Sequence, residues 1–538
     1  MADENFDTPV LIVGGGPIGL ALAVDLGWRG IECILVERTD GTIDLPRANS
    51  VDLRTMEFAR RWGIAEEIRQ AGIPQDFPHT ALYATSLGGF EIARFERAEH
   101  GGTGPLDVSP ERPQRCNQLF LDPILRAKAA SQPGVDVRFL THFDCFSQDE
   151  TGVTAQVTDL ENDRTYSIRS QYLVACCGGR SSIRDTLGIP LGNQGVLGYP
   201  ASIFFRTEYL WERHDKGKTA LNFLIDAGGV WATLIPLDGR ELWRITLHGS
   251  KDYVDPKGID AHAIISRVAG FDFYYELLSC GSWIRREMVA DRYREGRVLL
   301  AGDCAHQNTP TGGYGMNTGI GDAVDLGWKL AATLNGWAGD GLLESYESER
   351  RPVAVRNVTE ATANYRRRNL ATSEAVTKDS DEGRALRAKL GAQLSEANER
   401  QHRGHGIALG HIYSGSPICV YDGEGDAPDT VNDFIQTSYP GSRAPHTPLP
   451  AGQSTLDLFG KGFVLLRFPG GGDVSAIGVA ADARGVPFRV IDIGEPDIAA
   501  TYERRLALVR PDGVVAWRGD APPTDAATLI DRVRGAAT

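Results

Sequence analysis

The 538-residue sequence predicts an α/β protein: a parallel βαβ domain interrupted by an antiparallel sheet, with a smaller α/β domain at the end. Three observations carry this. Val10-Leu11-Ile12-Val13 is a continuous apolar run that opens onto a glycine-rich turn and an apolar helical pattern. From about residue 195 to 285 the pattern changes to alternating strands, Thr219–Asp226, Val230–Pro236 and Glu241–His248, with hairpin-like connections at Ala227-Gly228-Gly229 and Asp238-Gly239-Arg240. The βα style returns at Arg297 and leads into helices, and a last strand-rich block follows the prolines at 417, 440, 445, 448 and 450.

The expected domains are residues 1–190, 191–285 together with part of 75–110, 286–402 as the second half of the first domain, and 403–538. The polar helical region from Leu342 to His402 reads as a bridge between domains. A net charge of −15 and a pI near 5.3 argue against a nucleic-acid backbone or an anionic membrane surface as partner. No long uncharged apolar stretch occurs and the N-terminus is acidic, so the expectation is a cytoplasmic protein without a membrane anchor. The eight cysteines show no zinc spacing and no CxxC, and they read as reduced thiols.

Gly14-Gly15-Gly16-Pro17-Ile18-Gly19 supplies a G-x-G-x-x-G between a strand and a helix. Gly14 allows the tight turn and Gly16 lets backbone approach a pyrophosphate. Gly19 lets the helix pack on the strand. Pro17 suits the first helical position, and the helix N-terminus offers free N–H groups to phosphates. Glu37 ends the second strand, Cys33–Val36, where a carboxylate accepts from a ribose diol, with Arg38 beside it. The first domain is thus Rossmann-like and binds a dinucleotide.

Further segments narrow the dinucleotide. Pro46-Arg47-Ala48, Arg54-Thr55-Met56-Glu57, Gln118 in its Gln118-Leu119-Phe120 context, Gly296–His306 with its Gly302-Asp303 pair, and Pro310–Gly319 are such segments. With them the chain resembles the class A flavoprotein monooxygenases, in particular the aromatic hydroxylases of the phenol hydroxylase kind. The resemblance implies FAD as cofactor, held by the glycine turn, Glu37, Arg38, Arg47, Gln118, Asp303 and the loop with Pro310, Gly313, Gly315, Met316 and Asn317. It also implies NADPH or NADH as a transient reductant, O2 as co-substrate, and a C4a-hydroperoxyflavin attacked by an electron-rich ring. One departure stands out: Cys177 occupies the place of an aspartate that relatives tie to FAD and nicotinamide handling.

The expected activity is hydroxylation of a phenolic or polyketide-like aromatic. Baeyer–Villiger insertion or epoxidation of an aromatic polyketide, and flavin binding without turnover, are the alternatives. Asp52 is a candidate base, with a solvated or capping carboxylate as its plainer reading, and Arg244 is a candidate for a substrate carboxylate or phenolate, with a surface ion pair as its plainer one. The Pro310 carbonyl is a further acceptor. Asn49 and Asn222 are expected to line the pocket; Phe223, Trp231, Tyr199 and Phe205 are candidates to line it, with plain core as the alternative for each. His306 reads as structural. The final domain resembles the thioredoxin-like domain of longer aromatic hydroxylases. It holds only Cys419, so no thiol redox pair is available, and it could serve a homodimer interface.

Overall fold

The structure is a computed structural model that describes residues 6–96, 104–248, 250–367, 370–402, 405–423 and 430–536. Its cofactor-type sheet places Thr8–Val13 at the centre, parallel to Cys33–Val36 on one side and to Arg164–Ala175 on the other. Val135–Arg138 and Val298–Leu300 extend it in parallel at the two flanks. Val10, Leu11 and Ile12 are fully buried, as a strand covered on both faces requires. Helix Pro17–Arg29 and helix Tyr314–Leu334 pack against one another over this sheet, so the two ends of the domain close on each other.

The antiparallel sheet is larger than its own block of sequence. Its order runs Glu276–Ser282, Ala201–Arg206, Leu242–Leu247, Gly229–Pro236, Leu221–Asp226, and then Thr80–Ala84 and Glu91–Glu96. Leu221–Asp226 pairs in parallel with Thr80–Ala84, which stitches the early segment into the later sheet. Helix Ala261–Ala269 covers one face, burying Ile265 and Val268 with Leu224, Leu234 and Ile245.

The expected continuous bridge over 342–402 divides in two. Helix Gly341–Arg367 carries Glu349, which pairs with Arg510 of the C-terminal block. Helix Asp381–His402 instead lies over the second face of the antiparallel sheet, where Leu390 and Leu394 pack with Tyr83, Phe223 and Ile225. Length and polarity alone do not reveal which surface a helix covers.

Among the described residues the C-terminal α/β domain has four strands in the order Phe488–Asp492, Phe463–Arg467, Leu506–Val509 and Val515–Gly519. The first pair is parallel and the other pairings are antiparallel. Charge ties this domain to the rest. Arg510, fully buried, contacts Glu349 at 2.5 Å, and Lys329 reaches the same carboxylate at 2.6 Å. Arg443 and Arg54 both pair with buried Glu57.

Candidate functional site

The glycine turn has little tolerance for side chains. Gly14 has φ +116°, and a Cβ there would sit 2.4 Å from the Cys176 carbonyl oxygen. At Gly19 a Cβ would sit 2.0 Å from the Gly14 oxygen. Gly16 is different: a Cβ there meets nothing within 4 Å, so its backbone borders open space at the helix N-terminus. Pro17 takes the first helical turn. Beside the turn, Glu37 Oε2 accepts from Gly15 N at 2.8 Å and Oε1 from Thr39 N at 2.9 Å, which fixes the carboxylate in place. Arg38 is exposed just beyond it.

Three further segments converge on the same cleft. Ala48 sits at φ +40°, a left-handed conformation that costs free energy for any residue with a Cβ. Asn117 holds the strained segment: its Nδ2 donates to Arg47 O at 2.9 Å, while its Oδ1 accepts from Leu119 N and caps helix Gln118–Ala130. Sequence reasoning singled out Gln118 and missed Asn117, although an asparagine just before a helix is a recognisable cap signal. Gln118 itself reaches Asp122 at 3.4 Å. Asp303 lies in the short turn Gly302–Cys304, exposed to the cleft at its surface, and the depth of the surrounding protein pushes its carboxyl pKa up, against His306 and Arg47. Arg47 is therefore within electrostatic reach of Asp303.

The fourth segment is the loop entering helix Tyr314–Leu334. Gly312 and Gly313 have φ +90° and +74°, and Gly313 caps the helix. The Pro310 carbonyl accepts from Gly313 N at 3.2 Å, so one of its lone pairs shapes the loop. Asn317 ties the loop down. Its Oδ1 accepts from Asp52 N and Thr55 Oγ1, and its Nδ2 donates to Ser50 O and Gly313 O. Met316 is buried, and Gly315 is spaced comfortably from Asn308.

His306 is fully buried, its Nε2 2.8 Å from Asp322 Oδ2, and Arg350 holds the other carboxylate oxygen at 2.9 Å. This is a structural cluster behind the loop, since Gly302 N also donates to Asp322.

The predicted substrate residues separate. Arg244 faces the cleft: its neighbours across the strands, Phe204 and Ile235, pack with Leu45, Leu119 and Phe120 of the cofactor-side segments. Its Nη1 donates to Pro46 O at 2.8 Å and its Nε is buried without a partner. Loss of water pulls its pKa down to about 10, and among the described residues no carboxylate pairs with it. Asn49, on the same segment as Pro46, likewise has both side-chain amide atoms buried and unpartnered.

Asp52 is corrected. Its Oδ1 caps helix Leu53–Trp62 by accepting from Thr55 N at 2.9 Å. It borders a cavity of about 40 Å³ with Arg54, Arg350, His411, Tyr413 and Arg443, and no wall of that cavity comes from the antiparallel sheet. Burial pushes its pKa up to about 6. Asp52 stands at the start of helix Leu53–Trp62, its N–H donating to Asn317 of the loop.

Asn222 is corrected too. It lies on the face opposite Phe223, fully buried, accepting from Thr219 Oγ1 at 2.6 Å and donating to Leu234 O. Trp231 packs against Arg267, 3.9 Å away on helix Ala261–Ala269. Phe223 stacks on Tyr83 at 4.6 Å under Leu390 and Leu394, and is core. Phe205 is buried with Trp243 beneath helix Ala261–Ala269, while Tyr199 packs edge-on to Tyr253. Alternation along a strand fixes which residues share a face, but not which face meets the cleft.

The open backbone at Gly16, the fixed Glu37 and the buried unpartnered polar atoms of Asn49, Asn308 and Thr309 fit an elongated dinucleotide running from the glycine turn to the 310–317 loop. Comparison with known proteins decides the family. An FAD binding domain model matches residues 7–361, and a model of the aromatic-ring hydroxylase C-terminal domain matches residues 437–537. The chain belongs to the FAD-binding aromatic-ring hydroxylases.

The hydroxylase is 33% identical to a tetracenomycin B2 monooxygenase-dioxygenase of Streptomyces olivaceus, over 98% of each chain. It is 34% identical to a 4-methyl-5-nitrocatechol 5-monooxygenase of a Burkholderia species, over 98% of this chain and 97% of that one. Among solved structures, RebC with bound 7-carboxy-K252c superposes with a TM-score of 0.91 at 40% identity, covering 99% of this chain and 100% of that one. An aklavinone-11 hydroxylase in complex with FAD and aklavinone gives 0.83 at 30% identity, over 98% and 99%. The hydroxylase is a flavin-dependent aromatic monooxygenase with FAD as cofactor, in an NAD(P)H-dependent family. Among the described residues no helix is long and apolar enough to cross a membrane.

Proposed function

We propose that this chain hydroxylates a phenolic or polyketide-like aromatic that carries, or acquires, a negative charge beside Arg244. The carrying observation is the Arg244 guanidinium, partly withdrawn from water on the cleft side of the sheet and unmatched by any carboxylate among the described residues. A buried charge of this kind is costly unless an opposite charge arrives.

Bound FAD, reduced by NADH or NADPH, supplies the activated oxygen. The chain's own residues do the rest. The glycine turn and Glu37 would hold the adenosine end of FAD, and Arg47, Gln118 and Asp303 would hold its middle. Gly313, Gly315, Met316 and Asn317 shape the loop whose helix N-terminus favours negative charge on the ring system. Arg244 orients the substrate and favours the deprotonated form of a ring hydroxyl, which makes the ring a better nucleophile. The free lone pair of the Pro310 carbonyl accepts from a hydroxyl before its proton leaves. Apolar Phe204, Ile235 and Leu237 exclude water around it.

We read the C-terminal domain as thioredoxin-like in its strand order and without redox function, since Cys419, its single cysteine, is buried and pushed up to about 11. A homodimer and a cytoplasmic location complete the reading. The test is NAD(P)H oxidation by the FAD-loaded protein across a panel of phenols, with uncoupled peroxide release subtracted. Stimulation by phenols that bear an acidic group supports the proposal. Indifference to every aromatic added refutes it.

A further inference from the structure

The turn that follows strand Arg164–Ala175 and the turn Gly302–Cys304 meet side by side at the cofactor cleft, and each brings a cysteine. Cys177 Sγ lies 3.5 Å from Cys304 Sγ and 3.1 Å from Ser181 Oγ. Cys304 Sγ is also 3.4 Å from Gly178 O. Arg184 Nη1 donates to the carbonyls of Cys304 and Gly179 at 3.3 and 3.4 Å, which holds a guanidinium beside the pair.

The two thiols differ in a useful way. Cys177 is half-buried, and Cys304 is fully buried. The hydrogen bond from Cys304, with help from Ser181 and the charge of Arg184, draws the Cys177 pKa down despite burial. Burial pushes Cys304 well up. One sulfur thus ionises readily and the other stays protonated next to it. Redox-responsive cysteines share this arrangement: an accessible, low-pKa thiol poised beside a resolving partner. By contrast, burial pushes Cys33, Cys116 and Cys419 up, and none of the three approaches another thiol among the described contacts.

We propose that Cys177 and Cys304 are a peroxide-responsive dithiol, oxidised to a disulfide across the two cofactor turns by hydrogen peroxide. A flavin monooxygenase generates its own oxidant, because activated oxygen that is not transferred to substrate leaves as peroxide. The Cys177 thiolate attacks one peroxide oxygen, the O–O bond breaks, and the departing hydroxide takes a proton to become water. Cys177 is then a sulfenic acid. The Cys304 sulfur attacks it, the S–O bond breaks, and the Cys304 thiol proton goes to the leaving hydroxide to make a second water. Two sulfurs lose two electrons and two oxygens gain them.

The sulfurs must close from 3.5 Å to about 2.05 Å, a shift of roughly 1.5 Å. The crosslink joins the residue after Asp303 to the residue after Cys176, whose carbonyl packs against Gly14. It therefore forms at the back of both cofactor contacts.

The test uses the full FAD-loaded chain. One sample receives hydrogen peroxide directly. A second receives NAD(P)H and O2 without aromatic substrate, with and without catalase. Free thiols are then blocked with N-ethylmaleimide and the chain is digested for peptide mass mapping. The expected result is a Cys177–Cys304 linked peptide about 2 Da lighter than the two thiols, lost on adding dithiothreitol. Cys304→Ser should leave Cys177 as a sulfenic acid trapped by dimedone, and Cys177→Ser should give neither product. The proposal is overturned if both residues are recovered as blocked thiols at a peroxide dose that oxidises exposed Cys145. Linkage of Cys177 to Cys176 overturns it equally. If added peroxide gives the linkage and turnover does not, the self-generated oxidant is overturned. If a serine variant fails to fold, the wild-type map alone decides. The added-peroxide arm is independent of which aromatic the enzyme takes.

Discussion

Replacing Arg443 with alanine removes a guanidinium from the seam between the cofactor and C-terminal domains. Arg443 Nε donates to Glu57 Oε2 at 3.0 Å, and its Nη2 contacts the other oxygen; the two side chains are 1% and 4% exposed. Burial pushes the Glu57 pKa up, but Arg443 and Arg54 together pull it below the usual carboxylate range. In the variant, Glu57 keeps only Arg54 at 2.8 Å and the Ser109 hydroxyl at 2.7 Å. Removing one partner of a buried ion pair costs about 3–5 kcal/mol, and the surviving arginine argues for the lower end, about 3 kcal/mol. Urea unfolding at pH 7.5, followed by tryptophan and flavin fluorescence, measures it. Replacing all three members of the cluster by apolar residues, Arg54→Met and Glu57→Leu with Arg443→Met, should recover most of the loss, because no charge is then left alone. The sign with pH follows from the depressed folded pKa: the contribution is complete above the ordinary Glu pKa of about 4.3 and fades as pH falls through the lower folded value. A loss under about 1 kcal/mol for Arg443→Ala, or a triple variant no better than the single, would refute the reasoning.

Four other changes have definite outcomes. Gly14→Ala, strained at φ +116° and colliding with the Cys176 carbonyl, should yield protein purified without FAD, read from its visible absorbance. Asp52→Asn keeps an effective helix cap and removes a carboxyl whose pKa is raised to about 6, so at pH 8 it should gain on the order of 1–3 kcal/mol in urea unfolding. That gain should shrink as pH falls through about 6 and vanish by about 4, with turnover within tenfold of wild type; a base would cost about a hundredfold or more. Arg244→Gln should erase the preference for a hydroxyaryl carboxylate over its methyl ester, measured by flavin spectral titration, while FAD content stays the same. Asn317→Ala strips the hydrogen bonds that join the 310–317 loop to Ser50 and Asp52, and should lower kcat more than it raises KM.

The cofactor half of this protein was legible because each signal is local. Strand, glycines, helix and terminal acid sit within one stretch of chain, and their roles follow from backbone geometry: φ at Gly14, contact at Gly19, open space beside Gly16. The substrate half was not, because its pocket is assembled by a sheet folding back on the cofactor domain. Asn222 and Phe223 alternate as expected, yet one faces helix Ala261–Ala269 and the other helix Asp381–His402. Arg244 shares its face with Phe204 and Ile235 and bonds the Pro46 carbonyl, which a strand position alone could not distinguish from a surface ion-pair partner. Asp52 misled for a related reason: its closeness in sequence to Arg47 and Asn49 hides that the helix start turns it inward. The Cys177–Cys304 contact spans 127 positions and has no sequence signature.

The most direct measurement is a single turnover with isotopically labelled O2. The FAD-loaded chain is first reduced anaerobically with NADPH or NADH, then mixed with labelled oxygen and a hydroxyaryl carboxylate drawn from the phenol panel. The account predicts bleaching of the visible flavin band before oxygen is admitted, and one labelled oxygen atom in a new ring hydroxyl afterwards. A flavin that neither reductant bleaches with any phenol present, or a product whose label sits in an ester oxygen, would contradict it.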